Sequence, residues 1–208
     1  MDKFTTLKST VIPLPLNDVD TDLIIPAQYL TSISRDGFGQ NLFRRLRDND
    51  PNFPFNLEKY KGANILVAGA NFGCGSSREH AVWALTGAGI RVVIAKSFAD
   101  IFFNNAAKSG LLLITLPEGQ VERLLVEAQA GGLSLTVDLE NQSVQLSSVQ
   151  KFSFDYDPFR KHCIINGLDD IDYILSFKDR LEEFRKEQKL TVDCTQDSKQ
   201  GTQVSSKQ

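Results

Sequence analysis

The chain has 208 residues, 41% apolar and 24% charged, with a net charge of −3, a composition ordinary for a globular protein with one sizeable core. It has no basic block to neutralise a phosphate backbone, which excludes nucleic-acid binding as a main activity. No run reaches the roughly 18–20 apolar residues that span a bilayer, and residues 1–8 lack a positive region leading into an apolar stretch. No membrane segment and no secretory signal are therefore read, and a cytoplasmic location is expected.

In chain order, Ser9 to Leu16 alternates loosely and carries Pro13 and Pro15, which predicts an edge strand running into a loop. Asp18, Asp20 and Asp22 then sit in a turn-forming segment that leads into Leu23-Ile24-Ile25-Pro26. A calcium loop is not supported: Leu23 stands where the loop needs glycine, and position twelve is not Glu. Residues 36–60 mix Gly37, Gly39, Pro51 and Pro54 with five aromatics and read as mostly irregular. A short helix is expected over Asn41–Arg47, and the aromatics are expected to be packing anchors.

The centre is clearer. Asn64 to Gly69 is a buried strand, and a glycine-rich turn follows through Ser77. A helix then begins with Ser76 or Ser77 as N-cap, Glu79 in its first turn, and Ala81, Val82, Leu85 and Ala88 on one face. Gly87 and Gly89 end it. Arg91–Ala95 is a second strand, Phe98–Lys108 a second helix stopped by Gly110, and Leu111–Leu116 a third strand stopped by Pro117. This β-α-β-α-β order predicts a parallel core with right-handed crossovers.

Glu118–Ala130 reads as a helix broken by Gly131-Gly132. Leu133–Leu139 and Ser143–Leu146 form a hairpin around Glu140-Asn141-Gln142, and Phe152–Tyr156 is a further strand. One final helix begins near Asp169, its apolar positions Ile171, Ile174, Leu175, Leu181 and Phe184 at helical spacing. The domain is expected to occupy residues 1–187. Residues 188–208, rich in Gln, Ser, Thr and Lys, are read as a disordered polar tail with too little apolar surface to offset ordering entropy.

Cys74, Cys163 and Cys194 are odd in number and widely spaced, unlike a disulfide framework or the closely spaced thiolates of a cluster-binding run. Free thiols and no cofactor bound by this chain are expected. His80 and His162, the two histidines, are too far apart in sequence to support a zinc site.

The segment that points to chemistry is Gly69–Ala81. A strand ends, glycines turn the backbone tightly, and serines precede a helix whose N-terminus attracts anions. Arg78 adds a permanent cation with a two-pronged donor suited to a carboxylate. A small organic acid or a phosphate is the expected ligand. The glycines do not follow the dinucleotide fingerprint, no Lys precedes the serines as in a Walker A loop, and Ser76 lacks the glycines of a nucleophile elbow.

Gly73-Cys74-Gly75-Ser76-Ser77-Arg78-Glu79-His80-Ala81 resembles the serine–arginine loop of the swivelling domain of the aconitase superfamily. Within it, the chain is similar to the separate small subunits of the isopropylmalate isomerase family. Asp20 to Pro26 resembles that family's N-terminal motif, and Asp157 to Cys163 with Asn166 to Ile171 resembles its C-terminal signature, so the likeness spans roughly residues 4–180. It implies a single β/β/α swivelling domain that closes on a large iron–sulfur subunit whose [4Fe–4S] cluster provides a Lewis acid. The reaction implied is dehydration and rehydration between 2- and 3-isopropylmalate in leucine biosynthesis.

By position in the motif, the resemblance makes Ser76 the base, and Ser77 and Arg78 substrate-binding. It sets Asp22 beside the active-site arginine network, although an acidic turn residue would equally cap its own loop, and it has His80 orient the serine loop. A further substrate arginine of the family corresponds to Arg35. A pocket for the substrate's side chain is expected from Thr31–Gly39, with Ile33 and Phe38 as its apolar members. Related homoaconitases and citraconate or methylmalate hydro-lyases use similar subunits. A stand-alone dicarboxylate-binding module is the reading from another class; mere binding would not need a serine base.

Overall fold

The computed structural model describes residues 1–30, 37–147 and 149–187. Residues Met1–Ile171 form one compact unit, and Asp172 begins a second. The first is built on a seven-stranded sheet. Its parallel half is β1 (Thr6–Leu14), β2 (Ile65–Ala68), β3 (Val92–Ala95) and β4 (Leu112–Thr115). Helices α1 (Thr21–Ile24) and α2 (Arg44–Asn49) lie in the long β1–β2 connection. Helices α3 (Glu79–Gly87) and α4 (Asp100–Lys108) link β2 to β3 and β3 to β4. After α5 (Glu118–Ala130), strands β5 (Ser134–Asp138), β6 (Ser143–Gln145) and β7 (Lys151–Ser153) add an antiparallel half, giving the order β4-β3-β2-β1-β5-β6-β7.

The near-continuous apolar runs of β2, β3 and β4 arise because both faces of the parallel half are covered. Period-two alternation sends Leu66, Ala68, Val93, Ala95 and Leu113 into one core with α3 and α4. It sends Ile65, Val67, Val92, Ile94, Leu112 and Ile114 into a second core, where Val121, Leu124, Leu125 and Ala128 of α5 pack. The mixed α/β class and the parallel β-α-β-α-β core agree with the sequence reading, and α5 and the β5–β6 hairpin lie where expected.

Several elements differ. β1 is the central strand and not an edge. Its first half pairs antiparallel with β5, from Thr6↔Asp138 to Thr10↔Ser134, and its second half pairs parallel with β2, from Val11↔Ile65 to Leu14↔Ala68. The Val11 N–H still reaches the Leu133 carbonyl at 3.0 Å. By alternation the Pro13 nitrogen points the same way but beyond the end of β5, so its missing N–H forfeits no ladder bond. The short helix near residue 41 starts later, at Arg44, behind a 3₁₀ turn at Phe38–Asn41. Of the aromatics in this stretch, Phe38, Phe43, Phe53 and Tyr60 are buried, as anchors should be.

Ala88 is exposed because it is the C-cap of α3, ahead of Gly89 with φ +89°. The strand expected at Phe152–Tyr156 is the shorter β7. A helix with no counterpart in the sequence reading, α6 (Pro158–Asn166), follows it, capped by Asp157, whose Oδ1 accepts from the Arg160 N–H at 2.9 Å. The single final helix is instead two, α7 (Asp170–Leu175) and α8 (Lys178–Glu187). Between them the Ser176 hydroxyl donates to the Tyr173 carbonyl at 2.6 Å and the Phe177 N–H bonds back three residues to Ile174. A side chain competing for a helical carbonyl and a tightened last turn stop α7 there. The tail read at 188–208 lies outside the described residues.

Candidate active site

The site lies beyond the carboxyl ends of β1 and β2, where open α/β sheets place their ligands. Past the last paired residues the two strands continue as loops that remain tied together. The Gly69 N–H donates to the Leu16 carbonyl at 3.0 Å, the Asp18 N–H to Ala70 at 2.9 Å, the Gly73 N–H to Val19 at 2.7 Å, and the Thr21 N–H to Cys74 at 2.9 Å. Side chains add to the seam: Asn17 Oδ1 accepts from the Ala70 N–H at 2.8 Å, and Asn71 Nδ2 donates to Asp18 Oδ1 at 2.7 Å. Asp20 caps α1 by accepting from the Leu23 N–H at 2.6 Å, which sets Thr21 and Asp22 on the first turn against the serine loop.

That loop follows β2. Gly73 and Gly75 both have positive φ, +80° and +88°. At Gly73 a Cβ would lie 2.2 Å from the ring of Phe102, so the position demands glycine for space as well as for conformation. Gly75, Ser76 and Ser77 are exposed, and Arg78 is half-buried. Together with Thr21 and the start of α4, they line a cavity of about 250 Å³.

Neither serine caps the helix. Helix α3 begins at Glu79 with Arg78 in the N-cap position, backbone extended (φ −127°, ψ 108°), and no side chain supplies a cap bond. The physical reason is the lateral hold on the loop. The Thr21 hydroxyl donates to the Ser76 carbonyl at 3.1 Å and the Arg78 guanidinium pairs with the Asp22 carboxylate, so residues 76–78 run alongside α1 before the helix can start. Among the described residues neither serine hydroxyl has a hydrogen-bond partner, so both remain available for chemistry.

Asp22 is thus brought to Arg78. The hydrogen bond from Arg78 holds its carboxyl below the ordinary carboxylate value of 3.8, against a smaller opposing effect of desolvation. A depressed folded-state value means the pair stabilises the loop above the unfolded value and is lost as pH falls through the folded one. Acidification through that depressed value, below the ordinary carboxylate value of 3.8, should therefore release Arg78. Fluorescence quenching at a probe on the loop, compared between the wild type and Asp22→Asn, checks this: only the wild type should show the acid step.

His80 is the second residue of α3, with its ring edge-to-face against Phe38 and Trp83 at centroid separations of 5.3 and 4.8 Å. It anchors the start of α3 on the 3₁₀ turn by aromatic packing. Phe38 is 1% exposed, so it belongs to the core and cannot meet a substrate side chain in this arrangement. Arg35 and Ile33 lie outside the described residues. Cys74, in the loop, and Cys163, in α6, are free thiols in different elements, and burial pushes both upward from the ordinary thiol value, followed by the carboxylates near each. Two separated, protonated thiols do not fit a cluster, and among the described residues no group of three metal-ligating side chains forms. The sequence reading missed Thr21, Asp20 and Phe102.

The sequence places this serine–arginine loop, and the sheet that carries it, in the aconitase C-terminal class. The family model described as Aconitase C-terminal domain matches residues 1–119, and a second, described as LeuD_N, matches residues 122–158. The 3-isopropylmalate dehydratase small subunit of Francisella philomiragia is 53% identical over 91% of this chain and 100% of its own length. That of Paramagnetospirillum magneticum is 52% identical over 92% of this chain and 98% of its own length. The crystal structure of 3-isopropylmalate dehydratase (leuD) from Methanocaldococcus jannaschii superposes with a TM-score of 0.63 at 29% identity, covering 87% of this chain and 99% of that one. The chain belongs to the 3-isopropylmalate dehydratase small-subunit family.

Proposed function

We propose that this chain is the closing half of a two-subunit hydro-lyase that interconverts 2-isopropylmalate and 3-isopropylmalate in leucine biosynthesis. The observation that carries the reading is the Ser76-Ser77-Arg78 loop, its hydroxyls not engaged in capping and its arginine braced by Asp22, in a chain 53% identical to a 3-isopropylmalate dehydratase small subunit. A large subunit is the expected partner, and its [4Fe–4S] cluster would supply Lewis-acid assistance to departure of the substrate hydroxyl.

The remaining chemistry falls to this chain. The proton to be removed lies α to a carboxylate, so it is weakly acidic and its loss adds negative charge. Ser76 serves as base in its alkoxide form, stabilised by the Arg78 cation and the positive end of α3. As it takes the proton, the C–H electron pair becomes the C=C bond and the hydroxyl on the neighbouring carbon departs with its C–O bonding pair as hydroxide. Re-addition with the opposite regiochemistry returns the proton from Ser76 and gives the isomer. Arg78 keeps its charge throughout and holds a substrate carboxylate with the edge of the guanidinium that Asp22 leaves open. Ser77 adds a hydrogen bond beside it, while Asp22 and His80 hold the arginine and the helix start in place.

The purified chain alone should be colourless and should not turn over 3-isopropylmalate. Adding the large subunit under anaerobic conditions should restore turnover, read by the absorbance of the unsaturated intermediate. The same complex should prefer isopropylmalate to homoaconitate and citraconate. Robust activity from the partner-free chain refutes the divided site, and a preference for another of these acids refutes the substrate assignment.

A further inference from the structure

We propose that Thr21 is a positioning residue for the hydro-lyase reaction: its hydroxyl fixes the Ser76–Ser77 peptide and thereby the direction in which the catalytic serine is presented. The inference rests on the reading of Ser76 as the base.

The loop that carries Ser76 has little of its own to hold it still. It is flanked by Gly73 and Gly75, both in the left-handed region, and Gly75, Ser76 and Ser77 are exposed. The helix that follows begins at Glu79, and its first bond back is from the Ala81 N–H to the Arg78 carbonyl at 3.2 Å. Residues 75–77 therefore lie between the glycine turn and the first turn of α3. Among the described residues, three contacts hold Cys74–Arg78 to the neighbouring α1 segment. They are the Thr21 N–H to the Cys74 carbonyl at 2.9 Å, the Thr21 hydroxyl to the Ser76 carbonyl at 3.1 Å, and the Asp22–Arg78 pair. The middle one alone touches the serine itself.

The donor is rigid. Thr21 is 2% exposed, one of three buried polar or charged residues among those described. It opens a helix whose first turn Asp20 caps, and a β-branched side chain on a fixed backbone is stiff about χ1. A stiff, buried hydroxyl holding an exposed, glycine-flanked carbonyl is a device for geometry. It contributes little to stability, because once released the Ser76 carbonyl can bond water instead. What release alters is the plane of the peptide joining the two serines. A displacement of about 1 Å at a reacting group is enough to lower a rate by about 10²-fold.

The test is kinetic and uses the assembled complex with its large subunit. Thr21→Val keeps the shape and removes the donor, Thr21→Ser keeps the donor and removes a methyl, and Ser76→Ala serves as reference. The expected result is a fall in kcat of about 10- to 100-fold for Thr21→Val with KM changed less than about twofold, and kcat within about threefold of wild type for Thr21→Ser. Melting temperature and large-subunit binding should match in all three. Equal losses for Val and Ser would mean that the methyl's packing matters and not the hydroxyl, and would overturn the proposal. So would a fully active Thr21→Val beside an inactive Ser76→Ala, which would leave the serine base standing. A fully active Ser76→Ala would remove the base and this proposal with it.

Discussion

Replacing Ser76 with alanine should lower kcat of the assembled enzyme by about 100-fold or more, the range expected for loss of a general base, with KM little changed. The structure sharpens this expectation. Ser76 does not cap α3, which starts three residues later with Arg78 in the N-cap position, so the substitution removes a hydroxyl without touching a helix end. Ser76 is exposed and its carbonyl is held through Thr21, and an alanine keeps that carbonyl. Folding and assembly should therefore be unaffected, as circular dichroism and co-elution with the large subunit would verify. Arg78→Lys provides the contrast. It keeps the charge but loses the planar fork that pairs with Asp22 and is proposed to hold substrate, so KM should rise and kcat should fall as well if the contact tightens in the transition state. A folded, assembled and active Ser76→Ala enzyme would reduce Ser76 to a loop residue and discard the mechanism.

A large effect on stability is expected at Gly73. Alanine there must adopt φ near +80° and place its Cβ 2.2 Å from the Phe102 ring. The left-handed backbone contributes about 1–2 kcal/mol and overpacking against a buried ring about 1–3 kcal/mol. A loss of about 3 kcal/mol is expected, together with loss of turnover because Phe102 also lines the cavity. Gly132 isolates the first effect: its φ is also +80°, but a Cβ there meets nothing within 4 Å. Gly132→Ala should lose only the backbone part and remain active. Urea unfolding of both variants measures the difference, and equal losses at the two sites would show that Phe102 yields freely.

Much of this was legible in the residues. The boundaries of α5 could be read from Pro117 and Gly131, because chain-breaking residues act locally and tertiary context seldom overrides them. The parallel strands were legible because burial on both faces leaves a run such as Ile65–Ala68 with no alternative. The position of β1 was not. Pro13 argues for an edge only if a strand keeps the same neighbours along its length, and β1 changes neighbours at Val11. Helix α6 has no counterpart in the sequence reading although Asp157, Pro158 and Gly167 supply a cap, a first-turn proline and a left-handed terminator.

At the site, the resemblance picked out Ser76, Ser77, Arg78 and Asp22, and the structure brings them into one neighbourhood. Their roles remain proposals. The serines were misread as caps because capping preference is a local rule, and here a lateral hydrogen bond from Thr21 competes with it. Thr21 itself could not be found by local rules, since its importance comes from a partner at Ser76 on another loop.

The exchange of neighbours along β1 has a consequence for how the chain acquires its structure. Strand β1 cannot complete its pairing until about two-thirds of the 208-residue sequence has been made, because Thr6 waits for Asp138. Its other half can zip to Ile65–Ala68 much earlier. Contacts of such different sequence separation close at different entropic cost. The half of β1 that leads toward the serine loop is therefore expected to form with the parallel sheet while its opening residues are still unpaired. Pulse-labelled hydrogen exchange during refolding should show Ile12 and Leu14 protected before Leu7 and Ser9. Simultaneous protection would mean that the two halves of the sheet fold as one unit.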